Sequence, residues 1–80
     1  LGLYIKVSEV MSMYMVRFYN KKGSFAGYSL TASLISAEQI RQEYIEQHKI
    51  CDFVLCPTIW KYCGRGNIGN VKNYDRVIGY

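Results

Sequence analysis

Residues 36–49, Ser-Ala-Glu-Gln-Ile-Arg-Gln-Glu-Tyr-Ile-Glu-Gln-His-Lys, decide the fold class. Ser36 offers a side-chain oxygen to the unpaired N–H groups of a helix start, and Gln39 stands three residues on, the spacing of a capping box. Ile35 and Ile40 are placed as a hydrophobic staple across that cap. Ala37, Ile40, Tyr44 and His48 recur at helical spacing with Ile45 alongside, so one face is expected against a core. Glu38 suits the positive end of the helix dipole and Lys49 the negative end. This spacing predicts a helix over residues 37–49.

Upstream, Met13-Tyr14-Met15-Val16-Arg17-Phe18-Tyr19 alternates as a strand does. Tyr14, Val16 and Phe18 are the expected core side; Met13, Met15, Arg17 and Tyr19 carry the charge and are expected to see solvent. Asn20-Lys21-Lys22-Gly23 is a hairpin connection, with Asn starting the turn and Gly supplying a positive φ. Phe25 to Thr31 then returns antiparallel, with Gly27 marking a bend. Leu3 to Val7 is a further run of strand formers.

Downstream, Cys51 to Tyr62 reads as a strand, its Asp52–Cys56 portion nearly all apolar and its pairing interrupted at Pro57. Gly64 to Asn70 is a loop, and Val71 to Tyr80 is a final strand whose Val71, Tyr74 and Ile78 also fit a helical turn. The expected fold is α+β, a single helix packed on one face of an antiparallel sheet, in the order β-β-β-α-β-β.

Eighty residues hold one compact domain, residues 1–80, and Leu1-Gly2 carries no weight in the reading. Half the chain is apolar by type and a fifth is charged, which is globular composition and excludes the signature of disorder. The longest uncharged run, Gly23 to Ala37, has fifteen residues, short of the roughly 20 a membrane span needs. No charged-then-apolar N-terminal segment is seen. Three cysteines, an odd number in one short stretch, are expected as reduced thiols of a cytoplasmic protein.

The net charge is +4, with residues 1–35 and 51–80 basic and residues 36–50 slightly acidic. That balance favours an anionic partner, either nucleic acid or an acidic, nucleic-acid-handling protein. Twelve residues are aromatic and eight of those are Tyr. A core this small buries only about 60% of the unfolded surface, so some rings are expected outside. Cations and rings alternate: Arg17 with Tyr19, Lys61 with Trp60 and Tyr62, and Lys72, Tyr74 and Arg76 together. Rings stack on bases and cations neutralise phosphates. The candidate binding residues are therefore Arg17, Tyr19, Lys21, Lys22, Lys61, Arg65, Lys72, Tyr74 and Arg76.

Other patterns carry less. Gly64-Arg65-Gly66-Asn67-Ile68-Gly69 matches G-x-G-x-x-G, but a dinucleotide fingerprint needs a helix and then an acidic residue about 20 positions on, and eleven residues follow Gly69. It reads as a flexible loop that brings Arg65 to a phosphate. His48, Cys51, Cys56 and Cys63 have ligand chemistry, yet a strand between Cys51 and Cys56 would hold them about 16 Å apart. The expectation is no metal and no cofactor, with buried free thiols and His48 facing the core. A single His, and Glu43 and Glu46 on a solvated helix face, give no catalytic set.

The segment from Tyr14 to His48 faintly resembles the arm-type DNA-binding domains of phage integrases: strand, turn with Asn and Gly, strand, capped helix. The residues that carry it are Val16 to Gly23 and the helix from Ser36. It covers under half of the chain, and the cysteine-bearing segment that follows departs from it, so it assigns no family. The expected function is a small non-enzymatic module that binds nucleic acid. The alternative is a phage- or mobile-element-type inhibitor or adaptor that blocks a host nucleic-acid-handling or defence complex by protein contact. The Tyr-rich edges also suit a homodimer.

Overall fold

A computed structural model describes residues 13–79. Four antiparallel strands, β1 (Tyr14–Tyr19), β2 (Phe25–Thr31), β3 (Thr58–Tyr62) and β4 (Tyr74–Ile78), lie side by side in the order β2-β1-β3-β4. One helix, α1 (Leu34–His48), connects β2 to β3. The class is α+β with the helix on one sheet face, as expected. The order among the described residues is β-β-α-β-β rather than β-β-β-α-β-β. The strand expected at residues 3–7 lies outside the described residues.

The β1–β2 hairpin forms as the turn chemistry dictates. Asn20 Oδ1 accepts from the amides of Lys22 and Ser24 at 2.9 and 3.0 Å, and Gly23 takes φ 84°. That arrangement closes a turn a β-branched residue would strain. Gly27, at φ 152°, sits where the pairing register shifts between Phe18 and Tyr19. The bulge leaves one extra residue on β2 and bends it.

The helix begins three residues earlier than its sequence suggested. Ser33, not Ser36, is the N-cap: its Oγ accepts from the Ser36 amide at 3.1 Å and donates to Ser36 Oγ at 2.9 Å. The two serines are equivalent as local caps, so tertiary burial decides. The earlier start winds Leu34 into the turn that packs against Val16, Ala37 and Ile59. Ile35 is left 70% exposed and staples nothing. At the other end Lys49 closes the helix in a left-handed conformation, its amide donating to the Glu46 carbonyl at 3.3 Å.

The strand expected over Cys51–Tyr62 is halved. Asp52 Oδ1 accepts from the Val54 amide at 3.0 Å and winds Phe53–Leu55 into a 3-10 turn. Local carboxylate-to-backbone bonds of this kind compete with a strand ladder. Phe53 and Val54 are consequently exposed rather than central, and β3 starts only after Pro57. The final strand likewise starts at Tyr74, behind a 3-10 turn at Val71–Asn73.

Both faces of the sheet are packed, which alternation in β1 did not foretell. On the helix side Val16, Ala37 and Ile59 are fully buried, with Tyr14, Phe18, Leu34, Ile40 and Ile78 around them. On the opposite side Met15, expected near solvent, is also fully buried, against Tyr62 and Tyr74 with Leu30, Trp60 and Val71. The segment after β3 folds back over this second cluster. The Tyr62 hydroxyl donates to the Gly66 carbonyl, and the Tyr74 hydroxyl donates to the Ile68 carbonyl at 2.6 Å. Burying a side chain the size of Met15 contributes about 2–3 kcal/mol, so this back layer is a second core and not a solvated face.

Candidate functional site

Strand register orders the helix-free face into rows. One row runs Leu30, Met15, Trp60, Arg76 across all four strands. The next runs Tyr28, Arg17, Thr58. Phe25 and Tyr19 pair beyond it. The end of the face nearest Tyr62 and Tyr74 lies under the loop, and the Tyr28 hydroxyl reaches back to Gly69 of that loop; among the described residues the end bearing Arg17, Phe25 and Arg76 is open.

Each arginine on this open end lies over a ring. The Arg17 guanidinium carbon is 4.1 Å from the centroid of Phe25, and that of Arg76 is 5.7 Å from the centroid of Trp60. Arg17 also approaches the Met15 sulfur, 3.8 Å from its Nη1. Phe25 stacks on Tyr28, centroids 6.5 Å apart and planes 19° from parallel. Phe25 and Tyr28 are each close to half exposed. The centre of the patch is fixed by Thr58, which is buried: the Trp60 indole N–H donates to its Oγ1 at 2.8 Å, and the Tyr19 hydroxyl lies 3.0 Å from the same atom. The Trp60 and Tyr19 side chains are therefore held in place by Thr58.

Charge is divided between the two sides. Among the described residues the carboxylates are Glu38, Glu43 and Glu46 on α1, Asp52 beside the 3-10 turn, and Asp75 on β4. Asp75 pairs with Lys61, and side chains alternate along a strand, so Asp75 points to the side opposite Arg76. None of these described carboxylates is on a strand position of the rows that hold Arg17 and Arg76. Two strand spacings and two residues along the strand separate those arginines, about 12 Å.

The nine sequence-derived candidates thus fall into groups. Arg17, Tyr19 and Arg76 share the open face. Tyr74 shares the same side but is 5% exposed beneath the loop, with its hydroxyl committed to Ile68. Burial, then the neighbouring Tyr62 and Tyr28, pushes its phenol above its ordinary value near 10, so it is a neutral structural donor. Lys61 is exposed on the helix side, because Tyr14 opposite it belongs to the helix-side core. Lys21 and Lys22 are exposed at the β1–β2 turn; Arg65 and Lys72 are exposed on the loop segment that Tyr62 and Tyr74 anchor. Sequence reasoning left out Phe25 and Tyr28. The hairpin turn held the signal for them, since a fixed turn fixes register and register sets Tyr28 opposite Arg17.

His48, expected to face the core, is exposed; its ring stacks on Tyr44 at 4.0 Å and its Nδ1 lies 3.0 Å from the Tyr44 carbonyl. Of the three free thiols, Cys56 is buried and Cys51 and Cys63 are exposed. No three His, Cys, Asp or Glu side chains converge among the described residues. Every buried side-chain nitrogen or oxygen there has a partner. No described helix is long and apolar enough to cross a membrane. Compared with protein-family models, with curated proteins and with solved structures, the chain shows no significant match.

Proposed function

We propose that this chain is a small, non-enzymatic basic module that binds single-stranded nucleic acid on the open half of its helix-free sheet face. The observation that carries this reading is the stripe Phe25–Tyr28–Arg17–Trp60–Arg76, in which two arginines each lie over a ring and the five side chains span all four strands. Rings on a sheet stack on bases regardless of sequence, and guanidinium groups beside them neutralise the phosphates between. Arg65 and Lys72 on the loop segment, and Lys21 and Lys22 at the turn, extend the positive field around the stripe. A duplex offers its stacked bases no access to such rings, so the single strand is the favoured form. Three free thiols suit a reducing compartment such as the cytoplasm.

The test is titration of the protein with single-stranded DNA and RNA of random sequence at low salt. Binding that weakens steeply as salt rises supports the reading; undetectable binding to both polymers at low salt sinks it.

A protein partner is the second reading, favoured by Phe53 and Val54, which stand 55% and 50% exposed on the turn after the helix. In that reading the chain is an inhibitor or adaptor of the kind phages and mobile elements encode. A host-lysate partner retained after nuclease treatment, and lost in Phe53→Ser, supports it. Partners that all vanish with nuclease reject it.

A further inference from the structure

A cavity of about 230 Å³ opens where the end of β1 meets the end of α1. It is smaller than the roughly 300–1,000 Å³ of cofactor sites, so it admits one flat ring and not a dinucleotide. Its walls are rings and aliphatic carbon: Tyr19, Tyr44, Ile50 and Leu55. Tyr44 meets Phe18 at a tilt, centroids 4.6 Å apart, and stacks on His48, centroids 4.0 Å apart, so the ring cluster ends at the exposed imidazole beside the cavity.

The polar groups around it are few and mixed. Asn20 spends its Oδ1 on the turn, which leaves the Nδ2 donor. A carbonyl only accepts, so Nδ1–H of His48 donates to Tyr44 and Nε2 is the ring nitrogen left uncommitted. Lys21 supplies a cation at the exposed rim. His48 is in the last helical turn, where the backbone carbonyls carry partial negative charge. That end repels an anion but accepts a neutral ring. Neutral ring inside and anion outside on Lys21 is the chemistry of a nucleotide.

We propose that this cavity takes one unstacked nucleobase, with its phosphate on Lys21. The site deepens the sheet-face reading and rests on it for the strand that delivers the base. Tyr19 links the two, lining the cavity while its hydroxyl reaches Thr58 at the centre of the stripe.

The experiment is a backbone-amide chemical-shift titration with AMP, with inorganic phosphate in parallel, on the wild type, Leu55→Trp and His48→Ala. AMP is expected to shift the amides of residues 19–21, 48, 50 and 55 and to leave those of Trp60 and Arg76 unmoved, while phosphate alone fails to reproduce the pattern. Filling the cavity with Leu55→Trp or removing the imidazole weakens the AMP response roughly five- to hundredfold, the cost of one base–ring stack. The two variants act by different means, so the amide spectrum of either one, if native, keeps the comparison valid. Absence of an AMP response, an equal response to phosphate, or full affinity in natively folded variants overturns the site. Polynucleotide binding without an AMP response rejects the cavity alone. An AMP response without polynucleotide binding retains the cavity and rejects the sheet face.

Discussion

Arg76 lies over the indole of Trp60, 5.7 Å from the ring centroid, and the two are direct cross-strand partners on β4 and β3. A guanidinium over an indole gains about 0.5–1 kcal/mol at an exposed site. The same contact positions the charge beside a ring that Thr58 already holds through its N–H. Arg17 over Phe25 places a second cation on a ring toward the opposite edge of the same face. The stripe is therefore organised by contacts within the protein.

Trp60 is the chain's one tryptophan, so its fluorescence reports on the stripe directly. Single-stranded oligonucleotides are expected to quench it. Trp60→Ala should weaken binding roughly five- to hundredfold, and Trp60→Phe should keep most of the affinity. Quenching with no change in affinity for either variant would mean that the ring is a bystander.

The loop over the second core depends on Gly66. It takes φ 81°, and a Cβ there would sit 2.5 Å from Nδ2 of Asn73, whose amide clasps the Asn67 carbonyl at 3.0 Å. Gly66→Ala should cost about 1–3 kcal/mol. Gly27→Ala meets nothing within 4 Å and should cost less. Denaturant midpoints of the two variants give the comparison.

Ser33 and Ser36 separate local from tertiary control of the helix start. Ser33→Ala removes the cap and should cost about 1 kcal/mol. Ser36→Ala keeps the acceptor to its own amide and should cost only a few tenths of that figure. A thermal melt of each variant checks the order, and a larger loss in Ser36→Ala would return the cap to Ser36.

Tyr74 ties the loop to the sheet only while it is protonated. Burial and the adjacent Tyr62 and Tyr28 raise its phenol above the ordinary value near 10. The folded state thus holds this proton more tightly than the unfolded chain does. Its contribution is complete below pH 10 and is lost as pH rises through the raised folded value. Wild-type stability should fall there more steeply than that of Tyr74→Phe, which lacks the titrating group. Denaturation midpoints across that range, with phenolate absorbance followed in parallel, make the comparison.

The parts of the fold that were legible are those in which local and tertiary forces agree. The Asn20–Gly23 turn is one, because its side-chain bonds and positive φ are both local. The central turns of α1 are another: Ala37 is buried, and Ile40 and Tyr44 are half-buried, as their spacing required. The helix start was misplaced because two serines cap equally well and only the burial of Leu34 separates them. Asp52–Leu55 was misread because an apolar run looks like a strand until the Asp52 carboxylate bonds its own backbone. The burial of Met15 was hidden for a different reason. A polar-looking strand face is covered by a loop some fifty residues further along, and alternation carries no information on that distance. In the site, alternation puts Arg17 and Tyr19 on one face of β1, and the same alternation that places Trp60 on that side sends Lys61 to the other face.

The most direct measurement is the salt dependence of affinity for a single-stranded oligonucleotide in the wild type, in Arg17→Ala/Arg76→Ala and in Lys61→Ala. Each phosphate contact on a single strand adds about 0.7 to the slope of log affinity against log salt. The double variant is predicted to lose about 1.4 from that slope, and Lys61→Ala, on the opposite face, to leave it unchanged. An unchanged slope in the double variant, or an equal fall in Lys61→Ala, would contradict binding on the helix-free face.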